Sequence, residues 1–333
     1  MCNMRYTRKT LVDNETPLNK ELFSHMQDGI AMANGDTPIP DYWQEHMNAK
    51  VAEINALNEE LGSKADTFVF LPDTHFPNNS GNSTALVRYI LENTSVKKVF
   101  LGGDIIEGNQ GNAVDMELLR SLRNEYSGIQ IFPVRGNHDA HTSDITDNQF
   151  WDTFHGNCMP YCKMTDKMYY YYDNEVQKIR YIFADSVWGY GKYAGTAYQT
   201  SEEQVKWIQD RITELAADWT ALVVKHHVWD WNTLGTLNVE GTIIKNALDA
   251  IYDTAACKIA GVYAGHAHND HLMTTDKGYI IVTTKGDNIQ ISGWKSGGLK
   301  EQCFDVVSFN PTTKTFKTIR IGTNGVNREF SYT

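Results

Sequence analysis

After residue 65 the chain repeatedly alternates a short apolar run with a helical stretch, and this alternation limits the fold more than any other feature. "TFVFLPD" is followed by a helical pattern over Ser83–Leu91, "KKVFLGGD" by one over Met116–Tyr126, and then "IQIFPVRGN" follows. Short apolar runs bounded by Gly and separated by helices predict βαβ units in a parallel sheet, hence an α/β fold. Further on, "KMYYYYD" and "KIRYIFADS" read as an antiparallel pair and Ser201–Leu215 as a helix. "ALVVKHH" and "KIAGVYAGHAH" read as strands. From Met273 the chain is mainly β, with a hairpin around Asn310-Pro311.

Five of these runs end on residues that bind metals. The first ends on Asp73-Thr74-His75, the second on Gly103-Asp104 and the third on Gly136-Asn137-His138-Asp139. The fourth gives His226-His227, and the fifth Gly265-His266-Ala267-His268. Functional groups of parallel α/β sheets gather at the carboxyl ends of the strands. If these segments stay extended, residues two apart point the same way, so Asp73 and His75 face one point, as do His266 and His268. Any one of these blocks alone would suit an ordinary turn or cap. Their joint occurrence, each closing an apolar strand, gives the pattern its specificity.

The order Asp-x-His, Gly-Asp, Gly-Asn-His-Asp, His, Gly-His-x-His resembles that of the calcineurin-like metallophosphoesterases, over about Asp66 to Thr333. The resemblance implies a four-layer αββα sandwich with two metal ions at the strand ends. By position, Asp73, His75, Asp104 and His268 would hold one ion, and Asp104, Asn137, His226 and His266 the other, with Asp104 bridging. Such imidazole and carboxylate donors suit Mn, Fe, Zn or Ni. A pair of ions can clamp a phosphoryl group and generate a hydroxide nucleophile, so the implied activity is hydrolysis of a phosphomonoester or phosphodiester. His138 corresponds to the family's non-ligand imidazole, which stabilises developing charge and protonates the leaving oxygen.

Some features depart from that pattern or extend it. Val228 stands where many members carry Pro, and His226 is preferred to His227 as ligand because it occupies the family's position. Glu107 opens a polar, Gly-rich loop that names no substrate. His141 and His271 follow two ligand blocks, as solvated loop residues or as substrate contacts. Rings in "WGYGKYAGTAY" would pack in the core or stack on sugar units.

Residues 1–40 form a separate segment. "DNETPLNKELFSHMQDGI" is similar to the opening segment of many phage tail, fibre and receptor-binding proteins. That similarity implies attachment to virion tail or fibre proteins through residues 1–64, a virion location, and host surface polymers as substrate. The alternatives are a cytoplasmic nucleotidase or phosphodiesterase, and a virion module that only binds phosphorylated polymers. A helix is expected from Asp41 to Leu61, within residues 41–64. Its stripe of Met47, Ile54, Leu57 and Leu61 is broken by Lys50. That stripe fits packing onto the domain of residues 65–333, or a short coiled coil and a homo-oligomer.

The net charge of −11, without a basic cluster, argues against binding long nucleic acids. No apolar run approaches the ~20 residues needed to span a bilayer, so membrane insertion is not expected. The start of the sequence lacks the apolar core of a signal peptide. Of the five cysteines only Cys158 and Cys162 are close in sequence, giving either ordinary thiols or one disulfide.

Overall fold

The computed structural model describes residues 41–76, 81–142, 145–155, 160–187, 200–230, 235–286, 303–322 and 326–333. The attachment-like residues 13–30, Cys158 and "WGYGKYAGTAY" therefore lie outside the described residues.

The chain opens with helix α1 (Asp41–Leu61), which ends at Gly62 in the left-handed region (φ 59). The first sheet is built by β1 (Asp66–Leu71), α2 (Gly81–Asn93), β2 (Lys98–Leu101), α3 (Asn112–Glu125) and β3 (Gln130–Pro133). The three strands pair in parallel, as expected of βαβ units. A one-turn helix, α4 (Asp147–Phe150), then leads to the second sheet. That sheet comprises β4 (Lys163–Met164), β5 (Tyr170–Asn174), β6 (Ile179–Ala184), β7 (Thr220–Lys225), β8 (Lys258–Ala264), β9 (His271–Thr274) and β10 (Ile280–Thr283). Helices α5 (Glu202–Thr213) and α6 (Val239–Tyr252) provide its crossovers. Ser201 and Asn238 cap their first turns by accepting from the amides of Gln204 and Gly241.

The chain then returns to the first sheet through β11 (Phe304–Asn310), β12 (Thr315–Ile321) and β13 (Arg328–Ser331). β11 pairs antiparallel with β1, giving the order β13-β12-β11-β1-β2-β3. The second sheet runs β4-β5-β6-β7-β8-β10-β9, with β6, β7, β8 and β10 parallel.

Three apolar layers separate the elements. Between the sheets lie Phe68, Phe100 and Phe132 from one side and Tyr170, Tyr181, Phe183 and Tyr263 from the other. Phe68 and Phe100 stack with ring centroids 4.0 Å apart. Outside the first sheet, Leu86, Ile90, Leu119 and Leu122 cover Val69, Leu71 and Val99. Outside the second, Ile208, Ile212, Ile244 and Leu248 cover Val223 and Val262. Two sheets packed face to face, with helices on both outer faces, make a four-layer αββα sandwich.

The stripe on α1 belongs to this core. Met47 and Ile54 are fully buried, and Leu57 nearly so, in the cluster beneath α2 and α3. Among the described residues, the domain itself covers these side chains. Cys162, Cys257 and Cys303 are buried, and no disulfide is formed among the described residues; the expected Cys158–Cys162 pair involves Cys158, outside the described residues. Among the described residues, no helix is long and apolar enough to cross a membrane.

Because α1 is part of the core, Ile54→Ala should destabilise the protein by about 2–5 kcal/mol, the usual cost of truncating a buried aliphatic side chain. Denaturant unfolding would show this as a lower midpoint. An unchanged midpoint would mean that α1 packs elsewhere.

Candidate metal centre

The parallel register of β1 and β2 sets Leu71 beside Leu101, so the chain emerges from both strands side by side. Asp73 N then donates to Gly103 O (2.9 Å), and His75 N to Asp104 O (2.9 Å). The carboxyl ends of β3, β7 and β8 converge on the same point. All five strand-end blocks thus meet in one cluster.

The backbone does not bring these side chains together in the expected way. Asp73 (φ 53), His75 (φ 44), Asp104 (φ 49), His266 (φ 70) and His268 (φ 49) all lie in the left-handed region. They are five of the seven non-glycine residues with positive φ among those described. Asp73 and His75, and likewise His266 and His268, therefore converge through tight left-handed turns and not along extended pleats. Such conformations cost of order 1–3 kcal/mol each and persist where the surroundings enforce them, typically at functional sites. Gly136 is required for a related reason: a Cβ there would stand 2.1 Å from Asp104 Oδ1.

Four sets of ligand-type atoms lie within 4.8 Å of one another: Asp73, His75 and His268; Asp73, Asp104 and His226; His75, Asp104 and His138; and His226, His227 and His266. His75 Nε2 is 3.4 Å from His268 Nε2 and 3.8 Å from Asp104 Oδ2. His268 Nε2 is 3.5 Å from Asp73 Oδ1. His226 Nε2 is 3.2 Å from Asp104 Oδ2 and 3.9 Å from Asp73 Oδ1.

The adjacent histidines differ in their partners. His226 Nδ1 lies 2.7 Å from Gly102 O. A carbonyl only accepts, so Nδ1 carries a proton there, and Nε2 points at the carboxylates of Asp104 and Asp73. His227 Nε2 instead lies 2.9 Å from Asn137 Oδ1. A buried imidazole nitrogen facing two buried carboxylates is a donor set suited to a metal ion.

Charge follows from this packing. Burial alone would lower the pKa of His226, but the charges of Asp104 and Asp73 outweigh it and push the group up to about 9. For Asp104 burial acts upward, yet His226 and the neighbouring imidazoles hold it well below the usual carboxylate range. Burial and the charge of His226 push His266 down to about 3.

His138 sits at the rim. Its backbone N–H donates to Asp104 Oδ1 (2.8 Å), and its Nδ1 is 2.7 Å from Glu107 O. The ring packs edge-on to His75, with centroids 4.5 Å apart.

Several contributors were either not singled out by their local sequence or, like Glu107, singled out without their contact to the cluster. Glu107 Oε2 lies 3.0 Å from His75 Nδ1. Asp139 Oδ1 accepts from the amides of Ile105 and Ile106, and its Oδ2 from that of Gly136, joining the loops after β2 and β3. Arg135 is gripped by Asp185 through Nε (3.2 Å) and Nη2 (2.6 Å). Lys225, the residue before His226, pairs in the interior with Glu240 (2.6 Å). A Gly-Asn-His-Asp block announced Asp139 but not its role, and the other pairs join residues far apart in sequence. His271 is not a solvated loop residue: it opens β9, with its ring 5.3 Å from that of Trp229. The side chain of His141 lies outside the described residues.

Comparison with known proteins follows the same pattern. The profile of the calcineurin-like phosphoesterase family matches residues 67–270. A dimetal phosphatase from Danio rerio has a similar structure, with TM-score 0.61 and 14% identity over 80% of this chain and 99% of the other. A purple acid phosphatase from yellow lupin (Lupinus luteus) seeds aligns with TM-score 0.53 and 12% identity, over 80% of this chain and 54% of the lupin chain. No curated protein matches the sequence. With five motif blocks on five strand ends and a family match across most of the sandwich, the chain belongs to the calcineurin-like phosphoesterases.

Proposed function

We propose that the protein is a dimetal phosphoesterase hydrolysing a phosphomonoester or phosphodiester. The observation that carries this reading is the convergence of Asp73, Asp104, His75, His226 and His268 into overlapping sets of ligand atoms. Asp73, His75, Asp104 and His268 would hold one ion; Asp104, Asn137, His226 and His266 would hold the other. When bound, two such ions supply charge neutralisation at a phosphoryl group and a low-pKa water.

The chain's own groups have separable tasks. Asp104 serves both half-sites, oriented by the amide of His138. His226 is fixed by Gly102 O, which leaves Nε2 as its ligand atom. His227 orients the Asn137 side chain. His138 carries a proton on Nδ1 because it faces a carbonyl, so Nε2 is the nitrogen that gains and releases a proton at the leaving oxygen.

A finer reading rests on residues 13–30, whose sequence is similar to phage attachment segments. In it the enzyme is carried on a virion and cleaves phosphate esters of host surface polymers. Incubation with host envelope fractions should release phosphate or phosphorylated fragments. Cleavage of nucleotides alone would support a cytoplasmic nucleotidase, and metal-dependent adhesion without turnover a binding module.

Turnover should be sought on a panel of phosphomonoesters and phosphodiesters with Mn, Zn, Ni and Fe supplied separately. Asp104→Ala should remove metal from both half-sites and abolish hydrolysis. His138→Ala should keep the metal content and lower kcat by ~10²–10⁴, the range for a lost acid–base group. Loss of metal in His138→Ala, with retention in Asp104→Ala, would reverse these roles.

Metal affinity should also depend on pH. His226 is protonated in the metal-free site at neutral pH and must release that proton to ligate, so affinity should rise with pH toward about 9. Calorimetric titrations in buffers of different ionisation enthalpy would report the released proton. Affinity that falls over pH 7–9 would rule out His226 as a ligand.

A further inference from the structure

Beyond the last ligand block the chain builds a closed network of opposite charges. Asp270, two residues after His268, faces Arg320 of β12 through a fork: Nη2 to Oδ1 at 2.8 Å and Nη1 to Oδ2 at 3.3 Å. Arg328 of β13 approaches the same carboxylate, Nη1 to Oδ1 at 3.3 Å. The amide of Lys285 donates to it at 3.1 Å. Both arginines also hold Asp305 of β11, by Arg320 Nε at 2.6 Å and Arg328 Nη2 at 2.9 Å. Arg328 further donates to Thr283 O and Thr284 Oγ1 at the end of β10. Two arginines and two aspartates thus alternate. Arg320 and Asp305 are fully buried.

The network sits directly behind the cluster. Asp305 pairs in register with Phe70, three residues before Asp73. The loop it grips carries His266 and His268, both in left-handed conformations. On the cluster side that loop is held by the His266 amide, which donates to the Asp73 carboxylate at 3.0 and 3.1 Å. The Asp73 carboxylate is also a ligand candidate, so on this side the loop is tied to a group that coordinates metal. The grip on Asp270 involves no candidate ligand. A planar guanidinium fork fixes orientation as well as distance, which a single amide bond does not.

We infer that Asp270 is a positioning residue for the metal centre: clamped by Arg320 and Arg328, it presets the His266–His268 turn, so the β11–β13 hairpin governs metal affinity without supplying a ligand. This rests on the dimetal reading above. It also goes beyond the family match, which ends at Asp270, whereas Asp305, Arg320 and Arg328 all follow it.

The test compares the full chain with Asp270→Asn and Asp270→Glu. Each protein, loaded with Mn or Zn, is challenged with a graded chelator series, and bound metal is counted by elemental analysis. Thermal unfolding is followed in parallel with metal in excess. Asp270→Asn keeps the size of the side chain but removes the charge that both arginines face. It should lose metal to about 10–100-fold less chelator, the usual effect of removing a group that supports a ligand, with its unfolding temperature within a few degrees of the parent. Asp270→Glu should recover most of the retention. Equal retention in Asp270→Asn and the parent overturns the inference while leaving the dimetal reading intact. A parallel collapse of unfolding temperature, without rescue by Glu, overturns it in favour of a purely structural network. A parent that holds no metal overturns both.

Discussion

Two buried carboxylates set side by side, Asp73 and Asp104, organise this structure. Both are buried where a lone negative charge costs several kcal/mol. The parallel pairing of β1 with β2 brings them together, and the imidazoles from β7 and β8 are the groups that answer them. The left-handed backbone at five of these positions, the glycine at 136 and the amides aimed at each carboxylate all serve the same arrangement. The two sheets bring carboxyl ends from both to one edge, and the aromatic layer between them holds that edge in register.

Much of this was legible in the chain. Strand ends show in sequence because an apolar run must stop where the backbone turns, and the residues after the stop are the chemistry. The five blocks could therefore be picked out from their own neighbours, while the assignment of each residue as a ligand came from the family resemblance. The geometry that unites Asp73 with His75 was not legible: an extended segment was the natural expectation, and the φ values show a turn. The helix over Val239–Tyr252 was not anticipated, although Ile244, Ala247 and Leu248 on one side and Thr242 and Asn246 on the other give it two faces. The stripe on α1 was read correctly as apolar, but a stripe does not say what covers it. Met47 and Ile54 are covered by the domain itself.

Least legible were the ionic contacts that brace the site. Arg135 and Asp185 are separated by several elements, and Lys225 at the end of β7 pairs with Glu240 in the first turn of α6, across the whole connecting loop. Neither partner of such a pair carries a local signal, since a single Arg or Glu in sequence reads as solvated surface. Yet the side chains of Lys225 and Glu240 are almost wholly enclosed. Removing one partner of such a pair is typically costly, about 3–5 kcal/mol, because the other charge is left unanswered. Their positions, beside Asn137 and His226, place rigid charge pairs immediately behind the groups that need fixed orientation.

The strand order carries a consequence for how the molecule comes into being. β1 lies between β2 and β11, so Asp66, among the first residues of the domain, finds its antiparallel partner in Phe309, near its end. During synthesis the open edge of β1 must wait, unpaired, while the whole second sheet emerges. An edge strand bearing Phe68, Val69 and Phe70 is a template for wrong pairing until β11 closes it. Contacts of such long sequence separation also slow folding. A nascent chain stopped before Phe304 therefore exposes an apolar edge, and the strands that return last are the elements that make the protein safe from its own kind.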